Sequence, residues 1–150
     1  MKNHKIQKKY IDYGLGFPVH ILNAPLVKID GAWTLKLNFE LFDRAVLIAL
    51  AHSPTRLTGN QVRFIRLFFE MNLKDFGSRF GGVSHPAVIK WEKFGDSPTN
   101  MNWSCEKDIR LFIISKMIPK ELPALYLKLE KMASSKFQAI KLNADELKAA

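Results

Sequence analysis

Between Leu57 and Gly95, helix starts and helix stops alternate at short intervals, and that punctuation constrains the fold more than any other feature of the chain. Thr58-Gly59-Asn60 opens a helix whose apolar stripe is Val62, Ile65 and Phe69. Met71-Asn72 ends it, and Asn72 is placed to cap a short helix from Leu73 to Phe80. Gly81-Gly82 makes a turn, Ser84 caps the next helix with Pro86 tolerated in its first turn, and that helix closes near Phe94-Gly95. Two short helices joined by a tight turn, with longer helices on either side, are what a helix-turn-helix requires. Its second helix lays its N-terminal half in the DNA major groove. Val83, Val88 and Trp91 supply an inward face, with Phe76 and Phe80 packing on it from the preceding helix. Ser84, His85, Ala87, Ile89, Lys90 and Lys93 are left facing outward. Hydroxyl, imidazole and ammonium groups donate to phosphates or base edges, and Ala87 and Ile89 suit thymine methyls.

On the N-terminal side, Leu41, Ala45, Ile48 and Ala49, flanked by Phe42 and Val46, predict a helix from Glu40 that stops at Ser53-Pro54. Before it, Pro18–Leu22 and Leu26–Ile29, separated by Asn23-Ala24-Pro25, and the alternating Trp33–Phe39 after Asp30-Gly31 predict a small antiparallel meander. On the C-terminal side a polar loop from Asp96 leads to a long helix over Cys105–Met117. Pro119 and Pro123 bracket a new start, and Leu122, Leu125, Leu129 and Met132 form its stripe. The expected fold is therefore mainly α with a small N-terminal antiparallel β segment. Its divisions are a β-rich segment 1–39, a helical DNA-binding domain 40–133 and a fraying tail 134–150. Leu111, Ile114 and Ile118 with Leu122 and Leu125 serve as core, as dimer seam, or as a mixture.

Charge agrees with a polyanionic partner. Lys and Arg number 23 against 14 Asp and Glu, a formal charge of +9, and residues 60–95 hold six basic and three acidic residues. Each phosphate neutralised by such cations releases condensed counterions. Cys105 is the sole cysteine, which excludes an intramolecular disulfide and marks it as an inert thiol at a helix start. His4, His20, His52 and His85 lack metal-ligand spacing, so neither metal nor cofactor is expected. No nucleophile motif, phosphate-cradling glycine loop or carboxylate pair points to catalysis. The polar N-terminus lacks the apolar stretch of a secretion signal, and no run approaches the ~20 apolar residues of a membrane span, which predicts a cytoplasmic protein. Trp33 and Trp103 are expected to pack rather than to bind.

Three segments carry a family likeness: Leu57-Thr-Gly-Asn-Gln-Val-Arg-Phe-Ile-Arg66, Met71-Asn-Leu-Lys-Asp-Phe-Gly77 and Gly82-Val-Ser-His-Pro-Ala-Val-Ile-Lys-Trp-Glu92. In order and spacing they resemble the Xre/Cro-like helix-turn-helix family, and within it the MqsA/YgiT-type and HigA-like regulators, many of them antitoxins of bacterial toxin–antitoxin modules. The strands before the helix-turn-helix are also similar to the portion preceding it in YgiT-type proteins. The resemblance implies an Xre/Cro-like bundle and a buried ion pair between Arg66 and Glu92. It implies base or phosphate contacts from Ser84, His85, Ala87, Ile89 and Lys90, with Asn72 and Lys74 near the DNA backbone. It further implies a homodimer on a palindromic operator in double-stranded DNA, repression of its own operon, and a cognate toxin as a possible partner. Departures are Gly77 where the family usually has Ala, Ile89 in place of a polar residue, a turn lengthened at Gly81-Gly82, and no counterpart of the zinc-binding cysteines that MqsA-type proteins often carry. The rival expectation is a protein-interaction module whose strands over Tyr10–Phe39 join a partner, beside a vestigial helix-turn-helix.

Overall fold

A computed structural model describes residues 3–132 and 139–147. The chain divides into two compact units, one built from Met1–Val46 with Ala139–Ala150, the other from Leu47–Gln138. Residues 134–138 and 148–150 of the expected tail lie outside the described residues.

The first unit is a four-stranded mixed sheet. β1 (His4–Asp12) and β2 (Val19–Ile29) pair antiparallel along β1's whole length, from His4 opposite Val27 to Asp12 opposite Val19. The other side of β2 is shared. β3 (Ala32–Leu35) runs antiparallel to its C-terminal half, and β4 (Ile140–Asn143) runs parallel to Val19–Leu22. Asn23 adopts φ +55° in the middle of β2, and there the buried positions change phase, from Val19 and Ile21 to Ala24 and Leu26. A left-handed residue, tolerated best by Asn and Gly, reverses the pleat without ending the strand. The Asn23 side chain donates to Asn143 Oδ1 at 3.3 Å and to Asp145 Oδ2 at 3.2 Å, tying that irregularity to β4 and to the short 3-10 turn Ala144–Leu147 behind it.

α1 (Phe39–His52) carries the chain into the second unit, which holds α2 (Gly59–Phe68), α3 (Leu73–Arg79), α4 (His85–Glu92), α5 (Trp103–Met117), a 3-10 turn at Pro119–Glu121, and α6 (Leu122–Glu130). An aromatic chain of Phe68, Phe69, Phe112, Phe80 and Phe76, with successive ring centroids 4.9–5.3 Å apart, runs from its half-buried rim to the buried Phe76 and Phe80 in mostly edge-on contacts. Within the same unit a buried ionic cluster anchors the loop before α2. Arg110 and Glu106, both fully buried, pair at 2.8 Å, while Arg110 also donates to the carbonyls of Ser53 and Thr55. The second oxygen of Glu106 accepts from Arg56 at 2.9 Å and from the Leu57 amide at 3.2 Å.

Several expectations are corrected. The fold is α/β, with a mixed sheet and six α-helices among the described residues, and not a mainly α bundle carrying a small antiparallel appendage. The parallel strand that makes the sheet mixed comes from residues expected to fray. The polar stretch from His4, assigned to no element, forms β1, and Asn23-Ala24-Pro25 lies inside one strand instead of separating two. In α1 the buried positions are Phe42, Val46, Leu47, Leu50 and Ala51, whereas Leu41 is 41% exposed, so the apolar stripe is rotated from the one expected.

Candidate nucleic-acid interface

Close backbone approach at two glycines sets the geometry of α2, α3 and α4. A Cβ on Gly59 would fall 2.6–2.7 Å from Trp91 O, Glu92 O and Gly95 N, so α2 begins directly against the end of α4. A Cβ on Gly77 would fall 2.5 Å from Val83 O and 3.1 Å from Val88 Cγ2. The Val83 amide donates to Gly77 O at 2.9 Å, and Gly81 (φ +87°) and Gly82 (φ +59°) supply the left-handed backbone that returns the chain from α3 to α4. Gly77 is therefore a packing requirement of the turn from α3 to α4, and not merely a weaker helix former.

Capping follows the same pattern. Thr58 and Gln61 form a reciprocal capping box at the start of α2: Thr58 Oγ1 accepts from the Gln61 amide, and Gln61 Oε1 accepts from the Thr58 amide. Asn72 Oδ1 accepts from the Asp75 amide at 2.7 Å, so its side chain is engaged in starting α3. Ser84 occupies the N-cap position of α4 but makes no side-chain cap bond, which leaves its exposed hydroxyl available.

Arg66 and Glu92 form a two-pronged pair, Nε to Oε2 at 2.6 Å and Nη2 to Oε1 at 3.1 Å, with side chains 12% and 13% exposed. Arg66 also donates to Met71 O at 3.1 Å. One side chain thus ties α2 to the end of α4 and to the α2–α3 link.

On α4, Val88 is the buried residue, while Ala87, Ile89 and Trp91 are half-buried and His85, Pro86, Lys90 and Lys93 are exposed. Pro86, Lys90 and Lys93 fall on one ridge at spacings of four and three, with Ser84 and His85 at its N-terminal end. Lys74 is exposed on α3. Among the described residues Lys74, Lys90 and Lys93 enter no ion pair, whereas Arg56, Arg66, Arg79, Lys107 and Arg110 of the same unit all do. The candidates thus divide. Ser84, His85, Lys90 and Lys93 share an open surface, Ala87 and Ile89 flank it partly covered, Lys74 is free on the neighbouring helix, and Asn72 is committed to a cap.

Arg63 is a candidate that the sequence did not single out. It lies on α2 one turn after Gly59 and just before Arg66, the two positions through which α2 meets α4, and it is exposed without an ion pair among the described residues. The available signal was its position on the wheel of α2, outside the Val62, Ile65 and Phe69 stripe.

Burial, then the carboxylates of Asp108 and Glu106, pushes the Cys105 thiol up to about 11, and its Sγ lies 3.2 Å from where a Gly81 Cβ would stand. Among the described residues no group of three or more His, Cys, Asp or Glu side chains is arranged to hold a metal ion, and no helix is long and apolar enough to cross a membrane. Compared with protein-family models, curated proteins and solved structures, the chain matches none.

Proposed function

We propose that this chain is a sequence-specific DNA-binding transcriptional regulator that acts as a homodimer on a palindromic operator, laying α4 in the major groove. The observation that carries the reading is the solvent face of α4, where Ser84, His85, Lys90 and Lys93 are exposed and the two lysines enter no ion pair among the described residues, on a helix whose opposite side is fixed by the Gly59 and Gly77 contacts. Groups destined for phosphates and base edges must be free of internal partners, and a reading helix must be held rigidly to present them. Two such helices in a symmetric dimer would read half-sites ~34–36 Å apart. Repression of its own operon and neutralisation of a toxin follow from the resemblance to MqsA/YgiT-type and HigA-like regulators and belong to the same proposal.

The rival reading is a partner-binding module with a decayed helix-turn-helix, for which Gly77 and Ile89 are the best support in the sequence. A Cβ at position 77 would meet Val83 O at 2.5 Å, so Gly77 counts as a packing requirement and Ile89 alone still favours the rival. Lys5, Lys8 and Lys9 on β1 also make its outer edge a poor template for strand addition.

Titration of the protein against the DNA upstream of its own gene, at several salt concentrations, tests the proposal. Lys90→Ala should lower the slope of log affinity against log salt by about 1, because one phosphate contact is lost. His85→Ala should cost ~1–3 kcal/mol on that DNA and little on scrambled DNA. Weak, sequence-blind binding indifferent to both substitutions would overturn it.

A further inference from the structure

The second unit carries a cleft of about 390 Å³ that the DNA reading does not use. Its floor and walls are Phe112, Leu111, Leu122 and Pro123, with Tyr126 at one side. Two charged groups stand at its rim. Arg79, the last residue of α3, donates from Nη1 to Asp108 Oδ2 of α5 at 2.7 Å, and both side chains are 44% exposed. The Arg79 guanidinium lies 4.6 Å from the Phe80 ring centroid and 5.2 Å from that of Phe112, which holds it beside the apolar lining. Ser115 donates to Phe112 O at 2.6 Å, so its hydroxyl oxygen can still accept a hydrogen bond within the cleft.

A small apolar cleft with a few convergent polar groups is the usual form of a small-molecule site, and this one is at the small end of the range. Its charges select the ligand class. A cation and a carboxylate in contact at the rim complement a molecule that also carries both charges side by side, with an apolar body to enter the cleft. We propose that the cleft binds a free apolar α-amino acid, its carboxylate on Arg79, its ammonium on Asp108 and Ser115, and its side chain against Phe112, Leu111 and Leu122. An exposed ion pair contributes little to stability, so opening the Arg79–Asp108 contact to admit the two ligand charges costs little. The two new charge-assisted contacts form beside an apolar wall, where they are stronger than in open water.

Calorimetric titration of the full chain with L-phenylalanine and L-leucine, without DNA, tests this directly, and its outcome is separate from that of the DNA titration. Both amino acids should bind, while glycine, which has no side chain for the cleft, should not. N-acetyl-L-phenylalanine loses the ammonium and L-phenylalaninamide the carboxylate, so each should bind roughly tenfold more weakly or worse. Asp108→Asn should abolish the preference over the acetylated compound, and Arg79→Gln the preference over the amide. The analogue series on the unaltered protein needs no variant to fold. Absence of binding at millimolar amino acid would overturn the proposal. So would equal binding of glycine or of the blocked compounds, or a self-association that occupies the cleft and ignores amino acid.

Discussion

Gly77 illustrates how one hydrogen atom in place of a methyl group decides a local structure. Helix propensity alone says that Gly77→Ala should stabilise α3 by ~1 kcal/mol. The Cβ would stand 2.5 Å from Val83 O, a backbone atom held by its own neighbours, so strain outweighs propensity. We expect Gly77→Ala to destabilise the protein by ~1–3 kcal/mol in urea unfolding. A gain in stability would show that the turn yields. Cys105 supplies a second residue-scale test. Its folded thiol keeps its proton up to about 11, against an ordinary value of 9.0. Between those values the folded state binds more protons than the unfolded state, so this group's stabilising contribution is complete below about 9 and is lost as pH rises towards 11. Cys105→Ala should flatten that part of the stability profile, and the native thiol should resist alkylation at neutral pH but react once the chain is unfolded. Its inertness could be anticipated from a lone cysteine at a helix start; the contact with Gly81 could not, because it depends on how α5 packs.

Two of the ion pairs, Arg66–Glu92 and Arg110–Glu106, differ in what removal leaves behind. Arg66 bonds Glu92 at the edge of α2 and α4, where both side chains retain some solvent. Arg110 and Glu106 are fully buried, and Arg110 also serves the carbonyls of Ser53 and Thr55. Arg110→Ala strands the carbonyls of Ala51, Ser53 and Thr55 and half of the charge balance of Glu106 in the interior, a loss of ~3–5 kcal/mol. Burial lowers the Arg110 pKa from its usual value, and Glu106 pulls it back up, the expected direction for a cation that depends on its partner. Arg66→Ala should cost less, because water can reach the abandoned Glu92. Chemical denaturation of both variants checks the order, and an Arg66→Ala protein less stable than Arg110→Ala would reverse this account. Arg66 and Glu92 drew attention in the sequence only because the family resemblance implied a pair between them. Arg110 did not, since one charged residue among the several of α5 looks like any solvated cation until the segment from Ala51 to Thr55 is seen to point its carbonyls at it.

At the scale of the whole molecule, legibility followed sequence separation. The capping residues Thr58 and Asn72, the Gly81-Gly82 turn and the helices from 59 to 92 are local features, and each is written within a few residues. The sheet is not local. β4 lies more than a hundred residues from β2, is four residues long, and pairs with it in parallel, so neither length nor alternation announces it. Its apolar contribution is nevertheless central to the first unit: Ile140, Ala144 and Leu147 are all buried, and Ile140 sits beside Val19 in the sheet. Asn143 and Asp145 also receive the Asn23 side chain at the point where β2 reverses its pleat. Ending the chain at Met132 would therefore expose Val19 and Ile21 along the open half of β2 and remove the partners of Asn23. It would leave that half of the sheet two-stranded, below the size that is stable unaided. We expect such a truncated protein to lose amide protection across β1 and β2, while α2, α3 and α4, held to one another by the Gly59 and Gly77 contacts within the second unit, retain theirs. Hydrogen exchange read residue by residue distinguishes the outcomes. Selective loss in the sheet would establish β4 as the clasp of the first unit, and unchanged protection of Val19–Leu22 would show that β1 and β2 need no parallel partner.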